Sequence, residues 1–328
     1  MVALMFTRLA GFCVGTPRPD AFFFVASRRK SIKLAGLFQS NVQTIEALEQ
    51  RWRIFSQVRR YILRGNDTQS DRFGGVARLY GEAGLRALAQ AHVCVVGVGG
   101  VGSWTVEALA RSGVGALTLV DLDEVCVTNV NRQLPALEGG FGKFKVEELA
   151  KRVTAINPDC RAAACTEFFN DKTSGMILAT GFDFVVDAID NVANKALLIA
   201  ACRERGIQLI TSGAAGGRRD GTRAEVADLA NSTNDPLLSK VRAQLRKEYG
   251  FPRAGKTMGV PCVFSPETPV YPKNDGTVCA SRPEAGELDG SLKLNCEWGF
   301  GAATFVTGAF GFAAAGEVVR RLVSGDSA

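Results

Sequence analysis

The chain has 328 residues, 46% of them apolar and 22% charged, with a net charge of +6. That is the composition of a globular protein, long enough for one large domain or two small ones. Residues 1–70 carry +7 and the remainder −1, so net charge alone argues for no nucleic-acid partner. Nine cysteines without a CxxC pair exclude a four-cysteine zinc site and fit a reducing compartment, and a single histidine, His92, argues against histidine-based catalysis or metal binding.

Residues 1–65 are poor in acid and hold the apolar run AFFFVAS followed by Arg28, Arg29 and Lys30. They read as a non-core extension, with an organelle-targeting segment or a translated upstream region as alternatives. Cytoplasmic location is the expectation, and mitochondrial if the segment targets. Ala77 to Gln90 reads as a helix. Val93 to Val96 is a buried strand, and Gly97, Gly99, Gly100 and Gly102 form a tight turn before a helix over Ser103 to Arg111. Gly113 stands where a left-handed cap belongs, and Leu117 to Val120 is the next strand. Helices are expected over Lys143 to Ile156 and Val192 to Glu204. Strands are expected over Cys160 to Thr166, Phe184 to Ala188 and Ile207 to Thr211. This alternation predicts an α/β fold, a doubly wound and mainly parallel sheet with C-terminal additions.

Past residue 217 the pattern changes. Ala224 to Leu229 reads as a strand, and Asp235-Pro236 as cap and first position of a helix to Tyr249. Residues 266–298 read as a long loop. The last helix, Gly299 to Leu322, has no charge between Gly299 and Gly316. Its Ala/Gly composition favours close packing on the sheet or in a dimer interface over a membrane span.

The chemistry concentrates at strand ends, where open α/β sheets bind ligands. The glycine turn and the free N–H groups of the following helix suit phosphate. Asp121 stands 19 residues after Gly102, where a carboxylate takes ribose hydroxyls. Arg132 and Lys145 can neutralise phosphates, and Asp190 can hold magnesium through oxygen. That set suits a nucleoside triphosphate better than a dinucleotide and disfavours a nicotinamide-dependent oxidoreductase. Each residue also has a plainer role open to it: a loop salt bridge for Arg132, a solvated helix start for Lys143 and Lys145, a helix cap for Asp187 or Asp190.

GVGGVGS, LVDLDEV, NVNRQ, GKFK and VDAIDN, in that order, resemble the ubiquitin-activating-like (ThiF/MoeB/HesA) adenylating superfamily, with its Rossmann-like fold. Within it, RFGGVARLYGE, INPDC, GVPCVFS, VYP, DGTVCA and GFGAATFVTGAFGF are similar to the branch that dehydrates threonylcarbamoyladenosine in tRNA. The resemblance implies ATP with Mg2+ and adenylation of the substrate's carboxylate, followed by ring closure with loss of water. It places Gly97, Gly99 and Gly102 at the phosphates and Asp121 on the ribose. Asn131 would support the nucleotide, Arg132 and Lys145 stabilise charge, and Asp190 hold the metal. Arg72 matches an arginine lent across a homodimer interface, with Arg78 close by. The domains implied are the 1–65 extension and a single adenylating domain over 66–328, its nucleotide-binding part at 91–217 and its substrate and dimer part at 218–325.

The alternatives are a sulfur-carrier-protein adenylyltransferase, whose relatives often carry paired CxxC motifs absent here, and an idle scaffold. A sulfur-transfer protein is a candidate partner. For tRNA, the candidate patch is Lys240 to Lys256, six Lys/Arg against Glu248 alone. Cys262, in VPCVF, reads first as a buried strand residue and second as a catalytic thiol.

Overall fold

A computed structural model describes residues 69–273, 275–280 and 300–325. The chain divides between Asn66 and Asp67, and the described residues all belong to the second unit, Asp67–Ala328. The expected targeting or extension segment, 1–65, lies outside the described residues.

Helix α1, Gln69–Gln90, is longer than expected from sequence and is kinked at Phe73 and at Gly81, where φ is +75°. It leads into β1, His92–Val96, then α2, Gly100–Arg111, and β2, Ala116–Val120. Gly113, with φ of +84°, ends α2 in the left-handed conformation its position implied. Then come α3, Lys145–Ile156, β3, Arg161–Cys165, and α4, Asp171–Leu178. The short α4 has little signal in the sequence: its few apolar residues crowd its last turn, and its start rests on the Asn170 side chain accepting from Lys172 and Thr173 N–H.

β4, Phe184–Asp187, α5, Val192–Glu204, and β5, Gln208–Ser212, complete the parallel unit. β6, Glu225–Asp228, α6, Pro236–Glu248, and β7, Pro261–Phe264, come next. The seven strands run in the order β3-β2-β1-β4-β5-β7-β6, parallel except for β6. Within the expected loop, β8, Tyr271–Pro272, and β9, Val278–Cys279, form a small antiparallel hairpin; residues 274 and 281–298 of that loop, and 299, the expected start of the last helix, lie outside the described residues.

The C-terminal helix α7, Thr304–Ser324, packs on one face of the sheet beside α2, as its Ala/Gly content implied. A Cβ on Gly311 would lie 2.7 Å from both Trp104 Cβ and the Val101 carbonyl oxygen, so glycine is what lets the helices touch. Val306, Phe310, Ala314 and Val318 enter the core. Phe310 alone, fully buried, contributes about 1.5–3 kcal/mol of apolar transfer. Among the described residues no helix is long and apolar enough to cross a membrane.

Candidate active site

The parallel order of β2, β1, β4 and β5 brings four strand ends to one side of the sheet. A cavity of about 950 Å³ opens there. β1 hands the chain to Gly97, whose φ of +84° and tight seat decide its identity: a Cβ would lie 2.8 Å from the Ala188 carbonyl oxygen. Its N–H donates to Val120 O at 2.8 Å, so the turn is fastened to the end of β2. α2 then starts with no side-chain cap, leaving its first N–H groups to a ligand. Gly97, Gly99 and Gly100 line the cavity. Gly102 does not. A Cβ there would overlap the Gly97 carbonyl oxygen, so this glycine serves the close approach of helix to turn rather than a phosphate.

Asp121 lines the cavity at the end of β2. One carboxylate oxygen accepts from Val98 N–H at 2.9 Å and the other from Asp123 N–H at 2.9 Å. Burial raises its pKa, and nearby Lys145 and these N–H bonds only partly oppose that. Lys145 is the first residue of α3 and is buried. Its ammonium lies 2.7 Å from an Asp123 carboxylate oxygen. The solvated-helix-start reading therefore holds for Lys143, which is exposed, and not for Lys145.

The NVNRQ loop forms one wall. Arg132 Nη1 donates to Thr128 O at 2.8 Å and to Asn131 Oδ1 at 3.0 Å. Asn131 Nδ2 donates to Ala302 O at 2.8 Å, and Thr304 Oγ1 donates to Asn131 O at 2.6 Å. The start of α7 thus clamps the loop. Asp190 is exposed and lines the cavity, and Asn191, not either aspartate, caps α5 by accepting from Asn194 N–H. Asp187 is fully buried: its carboxylate lies 2.9 Å from the Lys195 ammonium and accepts from Thr211 Oγ1 at 2.7 Å.

Gly97, Gly99, Asp121, Asn131, Arg132, Lys145 and Asp190 therefore meet in one cavity. Arg72 is elsewhere, on α1, where its Nη1 donates to Ile156 O at 3.1 Å. Cys262 is fully buried in β7, and burial pushes its thiol up to about 12, which removes it from consideration as a nucleophile in the folded chain. His92 opens β1, at the strand end away from the cavity, with Nε2 2.9 Å from Thr118 Oγ1.

The basic stretch on α6 is smaller than its sequence suggests. Arg242 donates to Leu229 O, Ser232 O and the Ser232 hydroxyl, and Arg246 Nε donates to Pro252 O at 3.0 Å. The exposed cations that remain are Lys240, Lys247, Arg253 and Lys256.

The ThiF family profile matches residues 75–326. The chain belongs to the ThiF family. A tRNA threonylcarbamoyladenosine dehydratase of Escherichia coli (strain K12) is 48% identical over 260 residues, 79% of this chain and 96% of the relative. The crystal structure of the E. coli tRNA N6-threonylcarbamoyladenosine dehydratase in complex with ATP is similar at a TM-score of 0.70 and 44% identity, covering 79% of this chain and 97% of that one. The molybdopterin-synthase adenylyltransferase of Salmonella typhimurium matches 132 residues, 40% of this chain and 52% of the relative, at 38% identity.

Asp123, Asn129, Gln133 and Phe300 are among the cavity residues given no role from sequence alone. Gln133 is buried, with no hydrogen-bond partner for its Oε1 among the described residues. Asn129 and Gln133 share the NVNRQ motif, which is the available signal. Asp123 stands in LVDLDEV, two residues after Asp121, which is its signal; Phe300 reaches the cavity only through long-range packing.

Proposed function

We infer that this chain is an ATP-dependent tRNA threonylcarbamoyladenosine dehydratase that activates its substrate's carboxylate by adenylation. The observation that carries the reading is the convergence of the glycine turn, Asp121, Arg132, Lys145 and Asp190 at one cavity. The chain spans nearly the whole length of a dehydratase relative.

The cavity fits ATP by its chemistry. An uncapped helix start, two cations and the half-buried Asp121 carboxylate line it together. Gly97 and Gly99 let the backbone approach the phosphates, and Asp121 accepts the ribose hydroxyls. Arg132 and Lys145 stabilise charge as it builds on the α-phosphate. A carboxylate oxygen of the threonyl group attacks that phosphorus, pyrophosphate leaves, and a mixed anhydride remains. A nitrogen of the same side chain then attacks the carbonyl carbon and AMP leaves with the oxygen. Positioning and electrostatics suffice for both steps, so the lack of a histidine in the cavity is no obstacle.

Magnesium fits as well. No cluster of three or more acidic, histidine or cysteine side chains exists among the described residues. Mg2+ asks for one carboxylate plus phosphates and waters, and Asp190 supplies that carboxylate. Magnesium held by Asp190 would neutralise phosphate charge.

The domain over 66–328 works as one adenylating unit, with its nucleotide-binding part at 91–217 and its substrate and dimer part at 218–325. It works as a homodimer, because Arg72 lies outside the cavity of its own chain and serves the site only from a second copy. Lys240, Lys247, Arg253 and Lys256 take the tRNA backbone. The cytoplasm is its compartment; Cys94, Cys160, Cys202 and Cys262 are buried, unpaired thiols.

Nucleoside mass spectrometry of threonylcarbamoyladenosine-bearing tRNA, incubated with the full chain and ATP, tests the reading. Loss of one water from the modified nucleoside is the expected result. Unchanged nucleoside, alongside AMP transfer to a small protein ending in glycine-glycine, would replace this function with the sulfur-carrier one.

A further inference from the structure

Two exposed aromatics line the cavity, and they stand at opposite ends. Phe168 follows β3, whose last residue, Cys165, accepts from Asp121 N–H at 3.2 Å. It belongs to the ribose end. Phe300 lies beyond the carboxyl end of β5, three strands from β2 in the sheet. At about 4.8 Å per strand that is roughly 14 Å, close to the span of a nucleoside triphosphate. An ATP laid from Asp121 towards Arg132 and Asp190 does not need Phe300.

Phe300 is built into its place. It is 40% exposed, yet its ring is backed by Tyr271 at 5.0 Å between centroids, tilted by 52°. It rests on two glycines. A Cβ on Gly216 would lie 2.9 Å from Phe300 Cβ, and one on Gly217 3.0 Å from Phe300 Cδ1. Main-chain bonds lock the three segments together: Gly217 N–H to Gly301 O and Val270 N–H to Gly217 O, both 2.8 Å. Two residues along the chain from this seat stand the exposed cations Arg219 and Lys273. A half-exposed, backed aromatic ring at a cavity wall is the chemistry of a nucleobase stacking platform.

We propose that Phe300, backed by Tyr271, stacks on the nucleobase of the nucleotide being modified and so fixes its side-chain carboxylate over the cavity. The proposal rests on the dehydratase reading and deepens it. The reacting nucleotide sits in a single-stranded loop beside the anticodon, where an unstacked base finds an aromatic partner at low cost. Phe300 is a specificity-determining residue here: the phosphate chemistry belongs to other side chains.

A binding cycle tests this without turnover. The full chain and Phe300→Ala are titrated with an anticodon stem-loop RNA bearing threonylcarbamoyladenosine, and with the same RNA lacking only that base. Base–aromatic stacking predicts a loss of about 5- to 150-fold on Phe300→Ala with the intact RNA. Removing the base takes the threonylcarbamoyl group with it and costs the wild type at least that factor, and Phe300→Ala then costs nothing further on the base-less RNA. Phe300→Tyr keeps affinity within a few-fold, whereas Phe300→Leu behaves as Ala. ATP affinity, unchanged in all three variants, shows that they fold. Equal losses of Phe300→Ala on intact and base-less RNA, or no loss on either, would overturn the platform. A wild-type chain that dehydrates the nucleoside with Phe300-independent RNA affinity sinks only this proposal. A wild-type chain that binds neither RNA and leaves the nucleoside unchanged sinks the functional reading with it.

Discussion

Lys145 and Asp123 form an ion pair at 2.7 Å in which the lysine side chain is 6% exposed and the aspartate 54%. The cation is thus held at the cavity wall by a carboxylate that still faces solvent. A point charge fixed in a dry position is what a developing phosphate charge requires, and Asp123 keeps it in place. Lys145→Ala is expected to lower ATP–pyrophosphate exchange by about 10²–10³-fold, the usual effect of deleting one preorganised donor. Lys145→Arg is expected to rescue little, because a planar fork does not fit a slot shaped for an ammonium. Exchange at wild-type rate in Lys145→Ala would remove the lysine from the chemistry.

Asp121 carries a pH prediction. Burial raises its pKa above the ordinary aspartate value of about 3.9. A carboxylate raised on folding weakens stability where it is ionised, and relieves that strain as pH falls through its folded value. Ribose recognition runs the other way, since it uses the ionised form. ATP affinity is therefore expected to fall on acidification, at a higher pH than an ordinary aspartate would give. In Asp121→Asn, calorimetric titration with ATP should show weaker binding without that acid limb. An identical limb in the variant would assign it to another group.

Glu107 ties α2 to α3. Its oxygens meet Arg152 Nε at 2.6 Å and Nη2 at 2.9 Å, and Arg111 Nε at 2.8 Å. Burial alone would raise its pKa, but Arg152 and Arg111 outweigh it and hold the carboxyl below its ordinary value. The stability this contributes is present above the unfolded pKa and is lost as pH falls through the lower, folded one. Because both arginines are more than a third exposed, Glu107→Gln is expected to cost only about 1–2 kcal/mol near neutral pH. Denaturant melts at two pH values check this: the wild-type advantage should shrink in acid.

Gly102 and Gly100 give a packing contrast. A Cβ on Gly102 overlaps the Gly97 carbonyl oxygen, whereas one on Gly100 meets the Thr307 methyl at 3.1 Å. Gly102→Ala is expected to destabilise by about 3 kcal/mol or more, beyond ordinary overpacking, and Gly100→Ala by less. Equal melting temperatures for the two variants would contradict the close helix–turn approach.

The thiols should separate by alkylation. Cys126 is exposed, and the Thr128 hydroxyl donating to its sulfur at 3.3 Å lowers its pKa. Cys262 is buried and raised to about 12. Peptide mapping after brief iodoacetamide treatment of the folded chain is expected to find Cys126 modified and Cys262 intact, with Cys262→Ala retaining turnover.

Much of the site was legible in the sequence for one physical reason. In a parallel sheet every strand ends on the same side, so Gly97, Asp121 and Asp190, each just past a strand, had to converge. Lys145 joins them because its helix returns to that sheet. What the sequence hid depends on contacts distant along the chain. The Lys145–Asp123 pair, the clamp of Ala302 and Thr304 on Asn131, and the seat of Phe300 on Gly216 and Gly217 have no local signature. Charge counting misled on α6 for the same reason: Arg242 and Arg246 fold back on carbonyls that residue types cannot reveal. Gly102 reads as a phosphate contact because motif spacing does not separate ligand approach from helix packing.

The central claim is that the substrate's own carboxylate is adenylated, and oxygen-18 tests it most directly. With the threonyl carboxylate labelled in the tRNA, ring closure through the mixed anhydride must leave one labelled oxygen on the phosphate of AMP. Mass spectrometry of the released nucleotide should find AMP carrying that label in step with dehydrated nucleoside. Unlabelled AMP, or ADP in its place, accompanying the same product would contradict the account.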